Sequence, residues 1–330
     1  MSPRASIAGW GTAVPERRLT NAELETRVET SDEWIVERTG IRERRIAGAA
    51  DTTASMAVEA GMSAIKHAGI TPDEIDLLII ATATPEQPIP HTGAFVGEAL
   101  GLRCGSFDLA AGCAGFVYML VVGSSLLTTG DLRNVLVVGS ETLSRIIDPG
   151  DRATCILFGD GAAAAVLSPS AGDGPGLIAW DLGCDGSAAG LLEIRAGGSR
   201  LPSSPDTIAA GDQYLKMAGQ EVFRRAVRAV VDSAHITLER AGVASSDVAW
   251  FVPHQANIRI IDSAANRLGI PRERTIVNID RYGNTSAASI PLALAEAAED
   301  GRLRPDDLVL LSGFGAGMTW GSALIRWGTP

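Results

Sequence analysis

The chain has 330 residues, 46% of them hydrophobic, with 37 glycines and a formal net charge of −11. That acidity argues against a nucleic-acid-binding protein, which needs a basic face, and the length allows one large domain or two of ordinary size. Four cysteines (Cys104, Cys113, Cys155, Cys184) with no C-x-x-C, and four scattered histidines, make a disulfide framework or a structural zinc site unexpected.

Residues 1–15 lack the apolar core of a signal peptide, and no apolar run reaches about 18 residues, so a cytoplasmic protein without membrane contact is expected. Residues 5–14 read as a first strand. In Thr30-Ser-Asp-Glu-Trp-Ile-Val-Glu-Arg-Thr-Gly40, Thr30 or Ser31 can cap a helix that Gly40 ends. Arg42, Arg44 and Arg45 follow. They form either a solvated surface cluster or a phosphate site, and composition does not choose between them.

Residues 52–68 have helical spacing, with His67 near the end. Asp76 to Ala83 is a continuous apolar run of buried-strand type. The proline-rich loop Thr84 to His91 is irregular. Phe107 to Ala111 is a short strand, Gly112 a turn, and Phe116 to Leu127 a buried helix, which puts Cys113 on the turn between them. There the helix dipole and the free N–H groups of the first turn favour the thiolate; the alternative is a small buried cysteine packed near a helix start. Asn134 to Gly139 is another buried strand.

Gly159-Asp-Gly-Ala-Ala-Ala164 loosely matches a dinucleotide fingerprint, but no crossover helix fits before Pro169, so that reading is rejected. There is no Gly-Lys pair for a P-loop and no G-x-S-x-G elbow. The Gly/Pro/Ser-rich segment Ser168 to Gly176 is the candidate boundary between halves 1–170 and 171–330. The second half repeats the first: 243–253 parallels 70–80, the stretch 276–298 parallels the strand, turn and helix around Cys113, and Asp307 to Gly313 parallels Asn134 to Gly139. Two similar halves of alternating strand and helix imply two parallel-type sheets covered by helices. Cys113 and Asn284 are then counterparts, each on the turn after the same strand.

Three further segments carry candidate chemistry. His254 ends a buried strand and opens a helix from about Ala256 to Leu268, a position that pushes imidazole toward its neutral form. Asn284 offers an amide donor that no pH change removes. Gly313-Phe-Gly-Ala-Gly317 is a turn whose N–H groups could join that of Cys113 in an oxyanion hole. Each also has a structural reading, as a cap, a turn residue or a tight corner.

The segments Thr30-Ser-Asp-Glu-Trp-Ile-Val, Ala111-Gly-Cys-Ala-Gly-Phe, Phe158-Gly-Asp-Gly-Ala, His254-Gln-Ala-Asn-Ile-Arg, Gly283-Asn-Thr-Ser-Ala-Ala-Ser and Gly313-Phe-Gly-Ala-Gly-Met-Thr-Trp-Gly321 resemble, in order and nearly end to end, the signatures of β-ketoacyl-ACP synthase III. The resemblance implies a layered αβαβα thiolase-like α/β fold, a homodimer, and Cys113, His254 and Asn284 as catalytic residues, with the backbone of Cys113 and Ala316 as the oxyanion hole. It places acyl-CoA against Thr30, Trp34, Arg38, Arg152, Phe158, Asn257 and Phe314, with Ile89 shaping the acyl pocket across the dimer. The acyl carrier protein would meet Lys216, Arg259 and Arg267. Acyl-CoA and malonyl-acyl carrier protein are substrates in this scheme, and no cofactor or metal is implied.

Two departures from the family pattern stand out: Ala316 where glycine is common, and Asn266 where a basic residue of the carrier-protein patch is often found. Ile89 falls where some acetyl-selective relatives carry phenylalanine, which implies a primer larger than acetyl. Two other readings keep the fold: an acyltransferase that passes on its acyl group without condensation, and a catalytically silent subunit. The intact Cys113/His254/Asn284 set argues against both.

Overall fold

The computed structural model of the chain describes residues 4–172 and 174–330, so the first three residues of the N-terminal stretch and residue 173 of the boundary segment lie outside the account that follows. Strands β1 (Arg4–Ala13), β2 (Leu77–Ala81), β3 (Gly105–Leu109), β4 (Val135–Glu141) and β5 (Gly161–Ser170) form one sheet, in the order β1-β5-β4-β2-β3. A second sheet takes β6 (Gly176–Cys184), β7 (Trp250–Pro253), β8 (Leu308–Gly315) and β9 (Thr319–Arg326), in the order β7-β8-β9-β6.

The two sheets share one topology. In the first, β3, β2 and β4 are mutually parallel, while β5 runs antiparallel to both β4 and β1. In the second, β7 is parallel to β8, and β9 runs antiparallel to both β8 and β6. The counterpart of β3 survives only as a parallel bridge between Phe251 and Thr275. The expected internal repeat is therefore present, but the expectation of parallel-type sheets is corrected to mixed ones. A parallel return needs a crossover of a dozen or more residues, usually helical. Only short helical turns separate β4 from β5, and β8 meets β9 through a three-residue turn, so both pairs close antiparallel. The glycine pattern at 159–161 opens β5, a strand, in keeping with the rejection of a dinucleotide site.

The helices that matter for the site are α1 (Asp32–Thr39), α2 (Thr53–His67), α3 (Thr92–Leu100), α4 (Gly115–Leu127), α5 (Gly219–Ala241), α6 (Ile258–Leu268) and α7 (Ser289–Glu299). The α1 cap is Ser31, whose hydroxyl accepts the Trp34 N–H at 3.2 Å, and Gly40 ends the helix at φ 79°. Sequence decides the layer each helix occupies. A helix apolar all round belongs in an interior, and α4 accordingly lies between the sheets, in contact with strands of both, as α7 does. Phe116, Val117, Leu120, Ile290 and Leu294 fill that layer, each contributing about 1.5–3 kcal/mol by burial. By contrast, α5 buries one face, Ala226, Val227, Val230, Ala234 and Leu238 among it, and covers the outer face of the second sheet. With α2 and α3 on the outer face of the first, the layers read αβαβα.

His67 closes α2, packs tilted against Trp10 with ring centroids 3.9 Å apart, and accepts the Trp10 N–H, a structural role. The arginine cluster resolves to a structural use as well. Arg44 is fully buried and donates to the Leu19 carbonyl, Asn21 Oδ1 and the Ile156 carbonyl at 2.7–3.0 Å, while Arg45 donates to the Pro15 carbonyl. Two of the three arginines are thus taken up by the chain itself, while Arg42 is exposed. Among the described residues no helix is long and apolar enough to cross a membrane.

Candidate active site

Equivalent strand ends of the two halves meet at one place. Cys113 sits on a 3-10 turn, Gly112–Ala114, between β3 and α4; Asn284 lies just before α7; His254 directly follows β7. All three line a single cavity of about 260 Å³, together with Phe158, Phe314 and Asn257. Trp34, Arg38 and Arg259 also contribute to its walls.

The glycine turn closes on the nucleophile from the far side. A Cβ on Gly315 would come within 2.4 Å of the Cys113 nitrogen, and one on Gly112, at φ 50°, within 2.9 Å of the Ala316 nitrogen. The two backbones can pack this tightly only with glycine at both positions. That contact brings the N–H groups of Cys113 and Ala316 together as candidate oxyanion donors, and the Ala316 methyl leaves the backbone donor in place.

Burial, rather than a helix, governs His254. The helix that follows starts at Ile258 with Asn257 as its cap, so His254 is not at its N-terminus as expected from sequence. The imidazole is still held neutral, pushed down to about 3 by desolvation. Its Nδ1 lies 2.5 Å from Ser289 Oγ, an oxygen that also accepts the Gln255 N–H at 3.3 Å. With one lone pair of that oxygen occupied, its hydroxyl proton is free to point at Nδ1, which leaves Nε2–H as the donor toward the cavity. Gln255 anchors this segment, donating to the Pro253 and Ile276 carbonyls and accepting from the N–H groups of Asn278 and Ile279.

Asn284 is fixed as firmly. Its N–H donates to the Leu157 carbonyl at 2.8 Å, its own carbonyl accepts from Gly159, and its Oδ1 accepts the Ser286 N–H at 2.9 Å. Occupation of Oδ1 leaves the amide NH₂ as the group available to a ligand.

The nucleophile departs from expectation. The turn before α4 was expected to favour the thiolate, yet burial pushes the Cys113 thiol up to about 12. The dipole of α4 points as expected, but an apolar cavity penalises a charge more than a helix end stabilises it. The resting group is a thiol.

The remaining candidates separate by position. The guanidinium groups of Arg38 and Arg152 both lie over the Trp34 ring, 4.8 and 4.9 Å from its centroid. Asn257 donates to the Arg38 carbonyl at 3.0 Å, tying α1 to α6. The Thr30 hydroxyl is buried without a hydrogen-bond partner. Arg259 and Arg267 are exposed on α6, and the Lys216 ammonium faces Asp148 at 4.0 Å. Ile89 is 85% exposed and does not line the cavity within one chain. Sequence reasoning missed the residues that hold these side chains in place: Ser289 and Gln255 at His254, and Ser286 at Asn284. All three lie inside the quoted His254-Gln and Gly283-to-Ser289 signatures, which were the available signal.

The sequence signature described as 3-oxoacyl-[acyl-carrier-protein (ACP)] synthase III matches residues 107–186, and that of its C-terminal part matches residues 238–327. A β-ketoacyl-[acyl-carrier-protein] synthase III from Roseiflexus castenholzii is 51% identical over 99% of both chains. The crystal structure of a β-ketoacyl-[acyl carrier protein] synthase III from Thermus thermophilus superposes with a TM-score of 0.92 at 45% identity, covering 98% of this chain and 100% of that one. The priming β-ketosynthase of the R1128 polyketide pathway gives 0.91 at 38% identity, covering 100% and 99%. With a nucleophile turn, a neutral imidazole and an amide gathered in one cavity of a duplicated αβαβα fold, and relatives of this identity along its whole length, the chain belongs to the β-ketoacyl-[acyl-carrier-protein] synthase III family.

Proposed function

We propose that the protein primes chain synthesis: it takes an acyl group from acyl-CoA onto Cys113 and condenses it with malonyl-acyl carrier protein, with loss of carbon dioxide, to give 3-oxoacyl-acyl carrier protein. The observation that carries this reading is the lining of one cavity by Cys113 together with two neutral donors, His254 and Asn284. The sulfur, once deprotonated, attacks the acyl thioester, and CoA leaves as a thiolate that solvent protonates. A malonyl thioester then binds with its carbonyl toward His254 Nε2–H and the Asn284 amide. Both donors stabilise the enolate formed as carbon dioxide departs, and neither is acidic enough to quench it. The carbanion attacks the acyl-cysteine, and the N–H groups of Cys113 and Ala316 take up the developing negative charge, roughly 3–4 kcal/mol per donor.

Both thioesters are substrates, and these steps draw on no further cofactor. An aromatic ring with two guanidinium groups over it, Trp34 with Arg38 and Arg152, suits the nucleotide end of CoA. Arg259 and Arg267 on α6, with Lys216, offer cations to an acidic carrier protein, in a chain whose net charge is otherwise −11. The working form is a homodimer in the cytoplasm, in which the exposed Ile89 of one protomer reaches the acyl pocket of the other. Sedimentation at twice the 34.3 kDa chain mass is the expected result. Transfer without condensation would leave the decarboxylating pair, His254 and Asn284, unused.

Intact-mass analysis after incubation with a panel of acyl-CoAs tests the loading step. One acyl adduct should appear on wild type and on variants at Cys104, Cys155 or Cys184, and none on Cys113→Ala. An adduct that persists in Cys113→Ala overturns the assignment.

A further inference from the structure

The two neutral donors rest on one helix. Ser289, whose hydroxyl oxygen lies 2.5 Å from His254 Nδ1, is the first residue of α7. Glu296 stands seven residues further on, two turns along the same face and about 10 Å away. Its carboxylate accepts four hydrogen bonds at 2.6–2.9 Å, from the Asn278 amide, from both terminal nitrogens of Arg281 and from the Tyr282 hydroxyl. The arginine contact is two-pronged, which fixes orientation as well as distance. Asn278 is buried, and the Glu296 side chain is only 17% exposed.

The residues that Glu296 binds belong to one short segment, the helical turn Ile279–Tyr282 and the residue before it, which ends one glycine short of Asn284. At its start, the N–H groups of Asn278 and Ile279 both donate to Gln255 Oε1, at 3.0 and 3.2 Å, and Gln255 is the neighbour of His254. At its end, Gly283 packs so closely on the Leu157 carbonyl that a Cβ would come within 2.7 Å of it, and Asn284 follows. Beyond Asn284 the chain returns through the turn Ser286–Ala288 to Ser289. Asn284 is thus held from both sides by α7, through Ser289 on one side and through Glu296 on the other. Its backbone bonds to Leu157 and Gly159 reach the half that carries Cys113, and so tie the amide to the nucleophile rather than to the imidazole.

We infer that Glu296 positions Asn284 against His254 for the malonyl half-reaction, through its clamp on Asn278, Arg281 and Tyr282. Glu296 does not line the cavity and touches no reacting atom; it is a positioning residue. What it sets is whether two donors on different elements reach one carbonyl oxygen together. Such donors work only when held to within about 0.5 Å, and a misplacement of about 1 Å can cost about 10²-fold in rate. The Arg281 guanidinium offsets the Glu296 charge, so the clamp acts by geometry and not by a field at the site. Acyl loading asks nothing of this pair, because Cys113 and Ala316 sit on turns that Glu296 does not bind.

The inference rests on the condensation proposed above, and a crystal structure keeps the two apart. Acyl loading by intact mass, carbon dioxide release from malonyl-CoA and the structure are compared for the full chain as wild type, Glu296→Ala and Glu296→Gln. Glu296→Ala should load within a few-fold of wild type and release carbon dioxide about 10²-fold more slowly. The loss should fall on kcat, with the malonyl-CoA KM little changed. In its structure the distance from His254 Nε2 to Asn284 Nδ2 should differ from wild type by more than about 0.5 Å. Glu296→Gln keeps the shape and one acceptor oxygen, and should recover part of the lost rate. Equal losses in both half-reactions would make Glu296 a residue of stability alone and overturn the inference. So would undiminished carbon dioxide release, or a slower release with both donors where wild type holds them. Should Glu296→Ala fail to fold, Glu296→Gln decides by the same split. If wild type releases no carbon dioxide but the donors move apart in the variant's structure, the condensation reading falls and the positioning role stands.

Discussion

At the scale of single residues, the cavity presents two donors that are both neutral. His254 is neutral because it is desolvated, and Asn284 because an amide has no charged form. In the proposed reaction the two serve a different half-reaction from Cys113, which gives a separable outcome. Asn284→Ala should leave acyl loading within a few-fold of wild type and reduce carbon dioxide release from a malonyl thioester by about 10²-fold or more, the size seen when one preorganised donor is lost. Labelled malonate measures the second and intact mass the first, and equal damage to both would contradict the division of labour. Loss of the Oδ1 contact to the Ser286 N–H is why a small effect on loading is expected.

At the scale of elements, the loop between β2 and α3 is pinned at both ends and free in the middle. Glu86 accepts the N–H of Ala54 at the start of α2 at 2.9 Å, and Asp108 of β3 accepts the N–H groups of Thr92 and Gly93 at the start of α3 at 2.6 and 2.9 Å. Between these anchors Ile89 presents its side chain outward, 85% exposed. Beside it, β3 is an edge strand carrying a half-open Phe107, and an edge with apolar side chains calls for a cover. If a second copy supplies that cover, Ile89 meets the partner's acyl pocket. Isoleucine in place of an aromatic ring then leaves room for additional methylenes, at about 0.8 kcal/mol each. Isobutyryl- or hexanoyl-CoA should outcompete acetyl-CoA in loading Cys113 by about tenfold, and Ile89→Phe should reverse the ranking. A ranking unchanged by Ile89→Phe would remove this loop from primer choice.

At the scale of the whole molecule, burying ionisable groups between two sheets couples catalysis to stability. His254 takes a proton at about pH 6.5 when unfolded but only near 3 when folded. Between those values the unfolded chain binds more protons, so stability contributed by the neutral ring is lost as pH falls from 7. The loss from this residue is about 3 kcal/mol by pH 4. Chemical denaturation at pH 7 and pH 4 should therefore show a smaller drop for His254→Asn than for wild type. An equal drop in both proteins would mean the ring is charged in the folded state. Glu141 and Asp160 act with the opposite sign: burial raises their folded values, so what they contribute is present at low pH and lost as pH rises.

The sequence alone determined the parts that depend on neighbours along the chain. Ser31 and Gly40 bound α1, the all-apolar stretch after Cys113 became a central helix, and the repeat between the halves was legible because each strand–turn–helix unit carries its own pattern. Cys113 and His254 stood out as candidates because each follows a legible strand, whereas a helical turn, Ile279–Tyr282, stands where a strand was expected before Asn284. Tertiary structure decided what depends on dielectric surroundings and on residues far apart in sequence. A helix dipole can be read from four or five residues, but the opposing desolvation comes from Phe158, Phe314 and the second sheet, which turns the expected thiolate into a thiol. Arg44 and Arg45 look free in sequence, and only folding brings the carbonyls of Leu19, Pro15 and Ile156 to them.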